Sequence, residues 1–176
     1  EAEVVCANYD FTGTPLEGLV NPYTVVRRAG LKIGVIGLLT DISRVVDKKL
    51  VGELEYQDPA SVINRYAEVL RNEEGCDLVL CLSHLGFSLD TEVASQIRNV
   101  DVIVGGHPHV VQPMALLEST VDPEHKTVCI YSVGNAVSNQ RNGYISNAPG
   151  YYTEDGALFT VTFEKYSDGK VYVAGT

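Results

Sequence analysis

Asp77-Leu78-Val79-Leu80-Cys81-Leu82 running into Ser83-His84-Leu85-Gly86, and Val100-Asp101-Val102-Ile103-Val104 running into Gly105-Gly106-His107-Pro108-His109, decide the fold. Both open with short, mostly apolar runs, the length of buried strands rather than helices. The first is apolar after Asp77, as in a strand covered on both faces. Between the two, Asp90–Arg98 sets Val93, Ala94 and Ile97 on one helical stripe. Strand, helix and strand joined by short links form a βαβ unit, so the two strands are expected to be parallel.

Upstream, Val4–Asn8 reads as a short strand. Tyr23–Arg28 and Leu31–Leu39 read as a hairpin turning at Ala29-Gly30. Thr40–Gln57 is expected to be loop. Asp58-Pro59 supplies an N-cap and a first-turn proline, Val62, Ile63, Tyr66, Ala67 and Leu70 recur at helical spacing, and Gly75 stops the helix. Downstream, Thr127–Val133 is a further strand and Ser138–Asp155 a loop. Phe159, Val161 and Phe163 alternate, Ser167-Asp168-Gly169 turns, and Val171 and Val173 alternate back as an antiparallel pair. The expected class is α/β, with mixed β-sheets flanked by helices, in a single domain spanning residues 1–176.

Bulk properties narrow the function. The chain has 176 residues, 45% hydrophobic and 20% charged, which suits one core and no disordered tail. A net charge of -10 repels a phosphate backbone and argues against a nucleic-acid partner. The longest apolar runs, such as Leu31–Leu39, fall far short of the roughly 20 residues that span a bilayer. Cys6, Cys76, Cys81 and Cys129 show no metal-ligand spacing and read as buried structural thiols. The sequence opens with Glu1-Ala2-Glu3 and enters Val4-Val5-Cys6 without a leader pattern, so the domain is expected to be incomplete at its amino end.

Ligands of open α/β sheets bind just past the carboxyl ends of parallel strands. His84 follows one such strand, and His107 and His109 follow the next. Neighbouring strands lie roughly 5 Å apart, so three of the four histidines are expected to reach one divalent metal. Gly86, Gly105 and Gly106 allow unusual angles and close approach, and Pro108 stiffens the spacer. Asn135 is a weaker candidate, either touching substrate or orienting a histidine ligand. Asp77 and Asp101 start their strands and belong to the wrong edge. Asp10 and Asp41 each follow a strand and could lie near the site, but as loop acids they read first as helix caps or turn formers; His125 reads as a solvated loop residue.

Ser83-His84-Leu85-Gly86 with Gly105-Gly106-His107-Pro108-His109 resembles the last two metal motifs of the calcineurin-like metallophosphoesterase superfamily. Asn21-Pro22-Tyr23-Thr24-Val25-Val26 into Leu31–Leu38 is similar to bacterial 5'-nucleotidase amino-terminal domains. Cys6-Ala7-Asn8-Tyr9-Asp10 resembles the strand after their Gly-Asn-His-Glu motif. His107-Pro108-His109-Val110-Val111-Gln112-Pro113, Tyr131-Ser132-Val133-Gly134-Asn135, Asn139-Gln140-Arg141 and Glu154-Asp155-Gly156 resemble the capsule-synthesis branch, of poly-γ-glutamate type.

The resemblance implies the carboxy-terminal part of a four-layer αββα domain that hydrolyses small phosphate monoesters. Two metals (zinc, manganese, cobalt or similar) share the site in that superfamily and activate a water. His84 and His107 would ligate one metal and His109 the other. An extracytoplasmic location, periplasmic or in the cell envelope, goes with the resemblance. The superfamily's Asp-x-His, Gly-Asp and Gly-Asn-His-Glu motifs do not occur in these residues. The chain alone is therefore expected to be inactive, holding one metal or none, with its amino-terminal half lost or supplied by another chain. Exposed strand edges would favour self-association. Two other readings stay open: a self-sufficient zinc hydrolase with three histidine ligands, and a non-catalytic cell-envelope module binding through Tyr144, Tyr151 and Tyr152 with Asn142 and Asn147.

Overall fold

The computed structural model describes residues 3–44, 46–52, 54–136, 152–169 and 171–175. Near its start, β1 (Val4–Val5) pairs in parallel with β2 (Val20–Asn21), a strand the sequence did not announce. The strand expected to reach Asn8 stops at Val5 because Asn8 turns its side chain to the sheet. Fully buried, Asn8 accepts from the Leu39 amide (2.9 Å) and donates to the Leu39 carbonyl (2.7 Å). An amide side chain thus takes the place of a backbone partner.

The hairpin of β3 (Tyr23–Arg28) and β4 (Leu31–Leu39) has the expected bounds. Ala29 (φ 48°) and Gly30 (φ 79°) both take positive φ, as a tight turn matched to strand twist requires. The stretch expected as loop carries a 3-10 turn at Ile42–Arg44 and α1 (Lys48–Val51). Helix α2 (Pro59–Asn72) starts at Asp58, whose carboxylate accepts from the Ser61 amide. It ends where Gly75 (φ 64°) lets the Cys76 amide reach back to the Leu70 carbonyl.

β5 (Leu78–His84), α3 (Phe87–Gln96) and β6 (Val102–Gly105) follow, then β7 (Met114–Glu118) and β8 (Lys126–Ile130). The sheet runs β3-β4-β5-β6-β8-β7. Its four inner strands are mutually parallel and its two edges antiparallel. The parallel pairing expected of β5 and β6 is present, with Leu82 opposite Val104 and Ser83 opposite Gly105.

Alternation along the strands divides the core. Ile36, Val79, Cys81, Ile103 and Cys129 join Ile63, Ala67 and Leu70 of α2 and Val93 and Ala94 of α3. Val102, Val128 and Ile130 belong to a second cluster, packed with Phe159, Val161, Phe163 and Val173 from the carboxy-terminal hairpin β9 (Thr162–Lys165) and β10 (Val171–Gly175) and its approach. The fold is α/β, a mixed sheet with flanking helices, as read from the sequence. Cover on the second face is partial: Leu82, expected in a strand buried on both sides, is 47% exposed. All four cysteines are free and buried.

Candidate metal centre

β5 runs two residues further than its apolar core, so His84 closes the strand instead of following it. Gly86 comes next at φ 94°, a conformation that favours glycine, and opens α3. A Cβ on Gly86 would stand 2.9 Å from Cδ2 of His107, so the missing side chain leaves room for that ring. Beyond β6, the chain turns through 106–109, with the His109 amide donating to the Gly106 carbonyl (3.2 Å). His109 sits at φ 56°, uncommon for a residue with a side chain.

The three rings meet at the carboxyl edge of the sheet. The His84 centroid lies 4.9 Å from that of His107 and 5.4 Å from that of His109, both near edge-to-face. Burial, then the His107 and His109 rings, hold the His84 pKa below its ordinary value, favouring the neutral imidazole that can act as a ligand. Nδ1 of His107 is buried and makes no hydrogen bond among the described residues. Nδ1 of His109 is engaged 2.8 Å from Oδ1 of Asn135.

In donor type the cluster suits one divalent ion: three imidazoles, one of them with an orphaned buried nitrogen. The nitrogens are gathered without being closed on a point. No group of three His, Cys, Asp or Glu among the described residues could hold a metal as it stands.

Other candidates lie apart from this cluster. Asp101 accepts from Arg71 (2.6 Å) and the Val79 amide, and Asp77 from Lys165 (2.6 Å) and the Lys32 amide, all at the amino edge of the strands. Asp10 and Asp41 cap local turns at Thr12 and Ser43. His125 departs from the solvated loop residue expected of it: its Nε2 lies 2.8 Å from the Val100 carbonyl, because the polar loop folds back over the start of the sheet. Of the tyrosine-rich loop, Tyr144, Tyr151, Asn142 and Asn147 lie outside the described residues, as do Asn139-Gln140-Arg141; Tyr152 is exposed.

Residues 19–140 match the model of one family, the bacterial capsule synthesis protein PGA_cap. The chain belongs to the PGA_cap family. It is also 28% identical, over 97% of its length, to a 5'-nucleotidase-related protein of Glossina morsitans morsitans, of which it spans 32%. A 5'-nucleotidase precursor from Thermus thermophilus superposes on 74% of the chain with a TM-score of 0.64 at 28% identity, the match covering 28% of that protein. The calcineurin-like phosphoesterase YfkN of Bacillus subtilis shares the fold, with a TM-score of 0.55 at 24% identity over 65% of the chain. This PGA_cap chain is thus 5'-nucleotidase-like in sequence and fold, over the part that carries the histidine motifs. It spans about a third of the Glossina relative's length.

Inside the PGA_cap region the sequence hid one element of the site's support. Asp90, read as the first residue of a helix, is 1% exposed, because α3 begins three residues earlier at Phe87. No side chain caps that start, so the sequence carries no signal for it. Oδ1 of Asp90 accepts from Ser83, whose Oγ accepts from the Leu85 amide (3.2 Å), while Oδ2 makes no hydrogen bond among the described residues. This clamp ties α3 to the residue before His84.

Burial raises the Asp90 pKa from 3.8 to about 6, against the lowering pull of Ser83 and the backbone. Below pH 3.8 Asp90 is protonated in both folded and unfolded chains. Between the two values only the unfolded chain has lost the proton, so stability falls as pH rises. Above about pH 6 the full penalty is present, about 3 kcal/mol as an upper bound. Asp90→Asn should therefore match the parent's stability near pH 4 and exceed it at about pH 7.5, measured by urea melts at both. A variant less stable at the higher pH than at the lower, relative to parent, would contradict the assignment.

Proposed function

We propose that this chain carries the histidine part of a metal-dependent phosphomonoesterase site, with His84, His107 and His109 as ligands for a divalent ion such as zinc, manganese or cobalt. The observation that supports this most directly is the meeting of three imidazoles from two adjacent parallel strands. An ion bound there supplies Lewis acidity toward a phosphoryl oxygen, positive charge in a chain of net charge -10, and a water of lowered pKa. The protein's own part is to present lone pairs and restrict motion. Burial keeps His84 neutral, Gly86 makes room for His107, and the turn through Pro108 fixes the separation of the last two rings.

The substrate class proposed is a small phosphate monoester, with a nucleoside 5'-monophosphate as the first probe because two of the relatives above are named for 5'-nucleotidases. A two-ion centre needs carboxylates to offset its charge, and the motifs that supply them in the superfamily do not occur in these residues. In this reading they come from another segment or chain, and residues 1–176 form one domain that is inactive alone, with exposed strand edges favouring association. No helix among the described residues is long and apolar enough to cross a membrane. A periplasmic or cell-envelope address goes with the PGA_cap relationship.

One observation favours a second reading: three imidazoles without a carboxylate make a complete set for a single zinc. Elemental analysis combined with a phosphatase assay separates the two. The first reading expects no turnover of nucleoside monophosphate by the isolated chain over zinc, manganese and cobalt, and turnover with two ions once the relatives' upstream segment is added. The second expects one zinc per chain and activity without the addition. No metal in either preparation would end both.

A further inference from the structure

We propose that Asn135 is a positioning residue that locks His109 in its Nδ1–H tautomer, leaving Nε2 as the nitrogen with the free lone pair. The tautomer follows from hydrogen-bond direction. The Asn135 Nδ2 atom lies 2.9 Å from the Thr153 carbonyl and 3.1 Å from the His109 carbonyl. Carbonyls only accept, so that atom is the amide nitrogen and not a flipped oxygen. The atom 2.8 Å from the ring is then Oδ1, which also only accepts. Nδ1 of His109 must therefore be the donor, and a neutral ring then carries its one acceptor lone pair on Nε2.

Asn135 holds His109 at both ends, by ring and by backbone carbonyl. That second grip falls on a residue at φ 56°, a conformation that persists only when its surroundings enforce it. A turn residue beside Gly134 would need none of these bonds. The same side chain links the histidine turn to Thr153, joining segments far apart in sequence. The purpose of the lock, presenting Nε2 to an ion, rests on the function proposed above; the tautomer itself does not.

The test has two arms, both on the whole chain. Two-bond nitrogen–proton correlation spectra of the metal-free protein at about pH 8 should show His109 protonated on Nδ1. Zinc titration should then find Asn135→Leu between about 10- and 100-fold weaker than parent. Asn135→Asp keeps an acceptor opposite Nδ1 but gives up both donated bonds, so it should retain the tautomer and most of the affinity. A parent His109 protonated on Nε2, or an Asn135→Asp variant as weak as Asn135→Leu, overturns the proposal. An intact Nδ1–H signal in a parent that takes up no zinc sinks the metal centre and supports the lock.

Discussion

On the proposed ligand set, changing His84 to alanine is expected to weaken zinc binding by more than about 100-fold and to bring phosphomonoesterase activity, assayed with the relatives' upstream segment added, to background. His84 is the ring against which both other imidazoles lie, at 4.9 and 5.4 Å. Losing an outer partner of a metal ligand costs about 10–100-fold, and losing a ligand from a set of three should exceed that. The fold should survive. His84 is the last residue of β5, and its pairing with Leu39 is made by backbone. Its side chain lies among polar rings instead of the apolar core, so no packed cavity opens. His125→Ala is the control, since that ring contacts the Val100 carbonyl at the opposite edge. Equal zinc affinity in parent and His84→Ala, by competition with a chromogenic chelator, would remove this residue from any metal site.

That edge was legible because strand ends carry a simple rule. Two apolar runs with a helix between them imply parallel strands, and parallel strands bring the residues after them to one side of a sheet. Local chemistry made other pieces equally readable. Ala29-Gly30 set the first hairpin to the residue, and Asp58-Pro59 set the start of α2. Where local signals were silent, the reading missed. Met114–Glu118 reads Met-Ala-Leu-Leu-Glu, good helix formers with no alternation, yet it becomes edge strand β7 by pairing with β8. Tertiary hydrogen bonding overrides intrinsic preference there. α3 opened early because Gly86 serves as its cap by backbone angle alone. The burial of Asp90 depended on that start, so it too was out of reach. Asn135 was readable only as an alternative. Its role depends on Thr153, and nothing in either local stretch ties the two together.

The two glycines before His107 look alike in sequence, and the structure separates them sharply. Gly105→Ala is expected to destabilise the protein by more than about 4 kcal/mol or to prevent folding, a magnitude reserved for changes that force backbone apart. A Cβ there would stand 2.2 Å from the Tyr131 carbonyl oxygen and 3.1 Å from that of Ile130. Those atoms belong to the end of β8 and the residue after it, with no flexible side chain to swing away. The Gly105 carbonyl also accepts from the Val133 amide (3.2 Å), so opening the gap breaks the link that carries the chain toward Asn135. Gly106→Ala meets only Nδ1 of His84, at 3.9 Å, which is ordinary contact, and its φ is not in the left-handed region. That variant should stay within about 1 kcal/mol of parent and could gain slightly from a stiffer unfolded chain. Thermal melts of the two variants side by side decide the matter. If Gly105→Ala melted with the parent, β6 and β8 would not approach as closely as described, and the position of the His107-Pro108-His109 turn would have to be drawn again.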